Sequence, residues 1–212
     1  MLALALTICV HTSDLSSLSD FLRRQPDPST FVVDRFRSRD VVFLGEDHGV
    51  KENLDFLARL LPKLHEAGIH QLGVEFGAEE DQVAVDRLVL GETYDPVEAR
   101  RLQFSYNVGW AVKEYQELYQ AAWSINRNRK TGTPPFRIVH LSYVFDWSKF
   151  TGRHAASMRG VFRRGPIEHF RANVIEREAI LPRRKMLVIC GTPHAYTKYV
   201  PMTYNVLAAD RS

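Results

Sequence analysis

Short apolar runs alternate with helical patterns along this chain, and this alternation is typical of βαβ units that build a parallel sheet. The strand-like runs cover about residues 2–10, 41–44, 71–76, 136–141 and 186–190. The pattern therefore predicts an α/β fold, with a mostly parallel central sheet flanked by helices.

The segments between these runs carry helix signals. Leucines recur at helical spacing from Leu54 to Leu64, which predicts a helix over 51–67 that ends at Gly68. Residues 79–128 are expected to form a largely helical insertion. Two further helices are predicted over 13–24 and 166–179, whereas 146–165 is expected to be irregular.

Length and composition indicate one soluble domain. The 212 residues, 45% hydrophobic and 25% charged, fit a single α/β domain over 1–212, with no linker long enough to divide it. The net charge of +3 is mild and the cations are scattered, so we expect no nucleic-acid partner. Small clusters such as Arg183-Arg184-Lys185 are interpreted as solvated loop charges that at most attract an anionic substrate.

The cysteines and the first residues bear on location. Cys9 and Cys190 both lie in apolar runs, so no disulfide framework is expected and a cytoplasmic location is favoured. Residues 1–10 are too short to span a bilayer, and we expect no membrane span. A periplasmic or secreted protein trimmed of an upstream signal would have the same sequence. Nothing in the sequence indicates the oligomeric state.

The motif Gly-x-x-His occurs twice, each time directly after an apolar run. Gly45-Glu46-Asp47-His48 follows the run at 41–44, and Gly191-Thr192-Pro193-His194 follows the run at 186–190. In a parallel sheet, ligands collect in the crevice outside the carboxyl ends of the strands. We therefore expect His48 and His194 to meet at one site.

The predicted strand ends present groups that can bind a metal or move protons: Glu46, His48, Glu75, His140 and His194. Imidazole and carboxylate are ligands for Zn, Mn, Co or Fe, and a site with an open position turns bound water into a nucleophile. The expected ligands are His48, Glu75 and His194. The expected catalytic residues are Glu46, His48 and Glu75, with one of the two carboxylates as general base.

Several of these residues also have a structural interpretation. Glu75 sits in an apolar run, so it needs a raised pKa or a partner, and Arg171 is a candidate partner. The aromatic residues near the insertion could belong to the core or to a pocket. As substrate-binding candidates we take His140, Tyr106, Trp110, Tyr115 and Arg171.

These motifs together resemble the superfamily of erythromycin-esterase-like, ChaN-like and TraB/TIKI-type proteins. The similarity runs in order through roughly residues 40–200 and is carried by the segments 43–48, 73–76, 110–115 and 188–194. It implies an α/β fold with the site at the strand ends. Residues 170–177 depart from the Arg-Asp and Met-Ala pattern that is usual in the family.

Each branch of the superfamily implies a different role for these residues. In TIKI-type members the two motif histidines are metal ligands of a protease, which corresponds to His48 and His194. Esterase-type members use the groups that correspond to Glu46, His48 and Glu75 to activate water. ChaN-like members bind haem, for which His140 with Tyr143, or the aromatic cluster of Tyr106, Trp110 and Tyr115, could supply a ligand.

The first expectation is therefore a metal-dependent hydrolase of ester, lactone or amide bonds in a small-molecule or peptide substrate. One alternative is a haem- or metal-binding protein without catalytic activity. A further alternative is metal-free esterase-type chemistry with His48 as the base.

Overall fold

The computed structural model describes residues 12–24 and 27–195. Its centre is a parallel sheet with the strand order β1-β4-β2-β3, which confirms the predicted α/β fold. The four strands are β1 (Val41–Glu46), β2 (Gln71–Ala78), β3 (Arg137–Ser142) and β4 (Met186–Gly191). The strand expected over 2–10 lies outside the described residues, as does Cys9.

Helices connect and flank these strands. In chain order they are α1 (Thr12–Arg23), α2 (Pro28–Arg35), α3 (Lys51–Glu66), α4 (Gln82–Leu90), α5 (Pro96–Tyr106), α6 (Lys113–Asn128), α7 (Ala155–Val161), α8 (Ile167–Ile175) and α9 (Thr192–Ala195). Short 3₁₀ turns cover Glu79–Asp81, Val108–Trp110 and Trp147–Lys149, and a π-helical turn covers Glu176–Ile180. In the described part of the chain, no helix is long and apolar enough to cross a membrane.

The two faces of the sheet are buried by different helices, because successive side chains of a strand point to opposite faces. Leu72, Val74 and Phe76 of β2 belong to one hydrophobic cluster with the apolar sides of α2 to α6. On the opposite face of the sheet, Val139 of β3 and Val188 of β4 belong to a second hydrophobic cluster, which includes residues of α8. A parallel sheet covered on both faces favours strands that are mostly apolar, and β4, which is buried along its whole length, fits this pattern. The edge strand β1 is only partly covered, and its Phe43 is exposed.

The predicted helical insertion forms the crossover between β2 and β3. It contains α4, α5 and α6, which pack with α3 over one face of the sheet. The Asp95 side chain accepts hydrogen bonds from the backbone N–H groups of Val97 and Glu98, and Pro96 occupies the first helical position, so α5 begins here.

The segment 146–165 is more regular than its sequence indicates. It contains a 3₁₀ turn and α7, so the prediction of irregular structure is wrong for 155–161. The imidazole Nδ1 of His154 accepts a hydrogen bond from the backbone N–H of Ser157 at 3.3 Å and caps α7. Histidine is not among the usual N-cap residues, and this explains why the start of the helix escaped the sequence analysis.

The register of the sheet brings the carboxyl ends of β1, β4 and β2 side by side. Glu46 lies opposite Gly191 on β4, and Val74 of β2 lies opposite Ile189. The next residue of β2 is Glu75, so its carboxylate lies level with the end of β4. Glu46, Glu75 and the first residue of the second Gly-x-x-His motif are therefore brought to one edge of the sheet.

Candidate functional site

Gly191, the last residue of β4, separates the two motif histidines. A Cβ atom at position 191 would lie 2.6 Å from Nε2 of His48 and 3.5 Å from Cδ2 of His194. These two ring atoms therefore cannot be further apart than the sum of the two distances. The structure places both imidazoles at one point of the sheet edge, as the parallel topology predicts, and the absence of a side chain at Gly191 makes room for them.

Glu46 orients the first of these histidines. Its side chain is buried at the end of β1, and its Oε1 lies 3.0 Å from Nδ1 of His48. An ionised carboxylate only accepts hydrogen bonds, so Nδ1 of His48 donates and the neutral ring keeps its lone pair on Nε2. The hydroxyl of Tyr115, on α6, donates to the same oxygen of Glu46.

An aromatic wall covers His48 on the side of the crossover. The rings of Phe76 and Trp110 stack with centroids 4.6 Å apart and an interplanar angle of 6°, and the His48 ring lies 4.6 Å from Trp110. A cleft of about 280 Å³ opens beside this wall and reaches Glu46, His48 and Tyr115. Burial, reinforced by the nearby Glu46 charge, raises the pKa of Tyr115, so this phenol remains a neutral donor.

Glu75 is held by two donors on the other side of the strand end. Its Oε1 accepts a hydrogen bond from Arg171 of α8 at 2.9 Å, and its Oε2 accepts the backbone N–H of Gly191 at 2.7 Å. The hydroxyl of Ser142 donates to the Glu75 carbonyl oxygen and lies 3.3 Å from Nη2 of Arg171. Arg171 is therefore the partner of Glu75 that the apolar surroundings of this carboxylate require.

His194 lies between two carboxylates. Its Nδ1 is 3.1 Å from Oε1 of Glu168, and its Nε2 is 3.4 Å from Oε1 of Glu75. The hydrogen bond with Glu168 is the main cause that raises the pKa of His194. Burial opposes this effect, and the Glu75 charge adds to it. His194 therefore keeps its proton to a higher pH than an ordinary histidine.

A second cleft, of about 160 Å³, exposes this group on the α8 face of the sheet and is lined in part by Glu75, Arg171, Cys190 and His194. Burial raises the pKa of the Cys190 thiol to about 12, and the charge of Glu75 adds to the shift. The thiolate is the nucleophilic form of cysteine, so Cys190 is inert at neutral pH and acts as a small buried apolar residue.

The predicted metal ligands lie close together, but their donor atoms do not form a metal site. No group of three or more His, Cys, Asp or Glu side chains that could hold a metal ion occurs among residues 12–24 and 27–195. Glu75 already has a guanidinium and an N–H on its two oxygens, and the Arg171 charge repels a cation from this carboxylate. The arrangement as it stands does not fit a divalent metal on His48, Glu75 and His194.

His140 lies away from solvent and has no surface with which to contact a substrate. It is fully buried, its Nε2 is 2.8 Å from the Tyr119 hydroxyl, and its Nδ1 is 2.9 Å from the Ala78 carbonyl oxygen. The structure therefore does not support the substrate-binding prediction for His140. Tyr143 is fully buried as well, so neither residue can ligate haem in this conformation.

The aromatic candidates divide between core and cleft. Tyr115 is 4% exposed and contacts Glu46, so it supports the site from within. Trp110 is partly exposed and lines the cleft beside His48. Tyr106 is partly buried, with its ring 6.4 Å from that of Phe76. Of the three, Trp110 is the side chain that a ligand in the cleft would meet first.

Sequence reasoning missed two residues that complete the site. Glu168 contacts His194 and also accepts a hydrogen bond from Arg171 at 2.9 Å. Its i, i+3 spacing to Arg171 on a helix was the available signal. The Thr192 hydroxyl donates to the Glu46 carbonyl oxygen at 3.0 Å and ties the second motif to the first, and no sequence signal distinguishes this threonine from an ordinary loop residue.

No protein-family description matches the sequence, and no curated protein does either. Solved structures share the fold. A chain described as "Bacterial protein toxins" has 16% identity and a TM-score of 0.51, over 84% of this chain and 33% of that chain. The RRSP effector domain of a MARTX toxin from Vibrio vulnificus CMCP6 has 17% identity and a TM-score of 0.51, over 84% and 33%.

The type III effector HopBA1 is also similar, with 16% identity and a TM-score of 0.52, over 79% of this chain and 73% of that chain. This chain thus spans about a third of the length of the two toxin chains. At such low identity the likeness shows the shared fold. The resemblance to the esterase-like and TIKI-type superfamily stays a prediction from the motifs.

Proposed function

We propose that this protein is a hydrolase of ester, lactone or amide bonds in which His48 is the general base and His194 the general acid. The observation that carries the proposal is the 3.0 Å contact between Glu46 and Nδ1 of His48, with His194 on the other side of Gly191. The contact with Glu46 directs the lone pair of a neutral His48 ring to Nε2, where it can accept a proton, and the raised pKa of His194 favours a ring that can donate one.

The reaction begins with a water molecule beside Nε2 of His48. As the water oxygen attacks the substrate carbonyl carbon, its proton moves to Nε2, and Glu46 stabilises the imidazolium that forms. The carbonyl oxygen gains negative charge, which the cationic His194 stabilises electrostatically. When the bond to the leaving group breaks, that group takes a proton from His194, and exchange with solvent restores both rings.

In this scheme Glu75 is a positioning residue. Both of its carboxylate oxygens are occupied by donors, and its charge favours the protonated form of His194. From the sequence, Glu75 was predicted to be a base or a metal ligand. Its engagement with Arg171 favours the positioning role.

The geometry supports the metal-free alternative better than the metal-dependent one. A cation between His48 and His194 would have to displace Arg171 from Glu75 or bind to fewer than three protein ligands. Metal-free hydrolysis with His48 as the base requires no displacement of Arg171, because Glu46 already orients the His48 ring. A divalent metal stays a prediction, which a chelator tests directly.

The experiment is turnover by the purified full chain on a panel of nitrophenyl esters, lactones and peptides, before and after chelation. We expect turnover that survives the chelator, and a fall in kcat on the order of 10²-fold or more in His48→Gln. His65→Gln is the matched control, because His65 is a partly exposed histidine of α3 that lies away from the two motifs and contacts the carbonyl oxygen of Pro134.

Two results would contradict the proposal. Turnover that is lost on chelation and restored by Zn, Mn, Co or Fe would favour the metal-dependent enzyme. A stoichiometric haem complex with a sharp Soret shift, together with no turnover on any substrate of the panel, would favour the carrier.

A further inference from the structure

A basic cavity lies at the amino ends of the strands, at the edge of the sheet opposite the proposed active site. Its volume is about 570 Å³, within the usual range of small-molecule sites. In the sheet register, Gln71 at the start of β2 lies opposite Arg137 of β3 and Met186 of β4. The polar side chains that line the cavity include His70, Gln71, Arg137, Arg183, Arg184 and Lys185.

Gln71 carries a buried amide for which the described residues provide no hydrogen-bond partner. Its side chain lines the cavity, the residue is 3% exposed, and neither Nε2 nor Oε1 has a hydrogen-bond partner within the described residues. Nδ1 of the neighbouring His70 is also buried and unpartnered there. Buried polar atoms in proteins almost always have partners, so these three atoms point to a polar group that enters the cavity.

The lining is also cationic. Arg137 is paired with Asp86 at 2.9 Å and with Glu178 at 3.0 Å. The run of Arg183, Arg184 and Lys185 forms no ion pair with any residue in 12–24 or 27–195. Together, these four cationic side chains and the two carboxylates that pair with Arg137 have a net charge of +2. An arginine can donate two parallel hydrogen bonds to one phosphate.

Arg183 is retained at a backbone position that favours glycine. Its φ is +53°, and it is the only non-glycine residue with positive φ among the described residues. Its N–H bonds the Ile180 carbonyl oxygen at 3.1 Å, and the N–H of Arg184 bonds that of Ala179 at 2.8 Å. This pattern is the Schellman motif, in which glycine normally takes the position of Arg183. An arginine at a position where positive φ favours glycine indicates that its side chain has a function.

We propose that this cavity binds a small phosphorylated molecule, whose phosphate contacts the cationic run 183–185 and whose neutral polar part bonds with Gln71 and His70. The ligand contains both a dianion and a group with a donor and an acceptor, such as a sugar hydroxyl, because Gln71 offers one of each. Burial lowers the pKa of His70, so its ring is neutral and can exchange hydrogen bonds with such a hydroxyl. The site is distinct from the proposed hydrolytic cleft.

Calorimetric titration of the full chain at fixed ionic strength tests this, with ribose 5-phosphate and inorganic phosphate as the probes. We expect saturable binding of ribose 5-phosphate, at least tenfold tighter than inorganic phosphate. The double variant Arg184→Ala/Lys185→Ala should weaken binding at least tenfold. Arg100→Ala/Arg101→Ala, on α5, removes the same charge elsewhere and should leave the affinity unchanged.

Two further variants separate ligand binding from folding. Arg183→Gly should raise Tm, since glycine suits the left-handed position, and yet weaken binding of ribose 5-phosphate. Gln71→Leu removes the unpartnered amide, so it should fold normally and lose the preference for ribose 5-phosphate over inorganic phosphate. Absence of saturable binding to the wild type, equal affinity for the two probes, or unchanged affinity in the Arg184 and Lys185 double variant would each overturn the proposal.

Discussion

Substitution of Gly191 by alanine should inactivate the proposed site and leave the fold intact. The new Cβ would lie 2.6 Å from Nε2 of His48, whereas an ordinary contact begins at about 3.4 Å. Nε2 must therefore retreat by about 0.8 Å, the difference between these two distances. A misplacement of about 1 Å at a reacting atom can cost about 10²-fold in rate, which corresponds to about 2.7 kcal/mol of activation free energy.

The cost in folding free energy should be small. The His48 side chain is 29% exposed, so its ring can turn towards solvent at about 1 kcal/mol for a non-ideal rotamer. Alanine in a strand regains about 0.5–1 kcal/mol relative to glycine. The two effects nearly cancel, and we expect the free energy of unfolding to stay within about 1 kcal/mol of wild type.

The assay compares Gly191→Ala with Gly77→Ala. A Cβ at Gly77 would collide with the ring of His140, which is fully buried with both nitrogens bonded and cannot move away. That variant should lose about 1–3 kcal/mol of stability from overpacking. Turnover on the substrate panel and urea unfolding are measured for both. Wild-type turnover in a folded Gly191→Ala variant would refute the placement of His48 as the base.

Three further predictions concern the groups around the two histidines. Glu75→Gln should cost about 2 kcal/mol in urea unfolding, because it leaves a buried guanidinium with one carboxylate fewer; unchanged stability would refute the ion-pair role. Tyr115→Phe should lower kcat by about tenfold, since one of two donors to Glu46 is lost at about 1.4 kcal/mol per tenfold; an unchanged kcat would show that the phenol does not support the base. Glu168→Gln should lower the pKa of His194 and move the alkaline limb of the kcat/KM profile to lower pH; an unmoved limb would exclude His194 as the acid.

The raised pKa of His194 also predicts the sign of a stability change. The folded-state pKa lies above the unfolded value of about 6.5, so the stabilisation is fully present below that pH. It is lost as the pH rises through the folded-state pKa. Urea unfolding of wild type and His194→Gln across this window should give curves that differ most on the acid side. A difference that grows towards alkaline pH would contradict the assigned direction.

The sequence predicted the sheet and the meeting of the two motifs, because both follow from chain-local patterns. An apolar run followed by Gly-x-x-His, at 41–48 and again at 186–194, is typical of parallel strands that end at one edge of a sheet. The edge strand β1 is nevertheless less buried than β4. The helix α7 escaped because its cap is His154, and the burial of His140 escaped because a polar residue near a strand end looks the same whether it faces the cleft or the core.

The chemistry of the site was harder to predict because it depends on partners distant in sequence. Glu75 is separated by 96 positions from Arg171, the residue that occupies its carboxylate. Whether Glu75 is a free ligand or a paired anion cannot be read from the strand that carries it. Similarly, the tautomer of His48 follows from the contact with Glu46, which requires the turn geometry after β1.

The most direct test of the account is the proton position on the two motif histidines, measured by ¹⁵N NMR of the imidazoles in the full chain. In its neutral form His48 should carry its proton on Nδ1, with the unprotonated shift on Nε2, and Glu46→Gln should disturb this preference. Over the same pH range His194 should remain protonated on both nitrogens to a higher pH than a free histidine. A neutral His48 with its proton on Nε2, or a His194 that loses its proton below the pH of a free histidine, would contradict the assignment of base and acid.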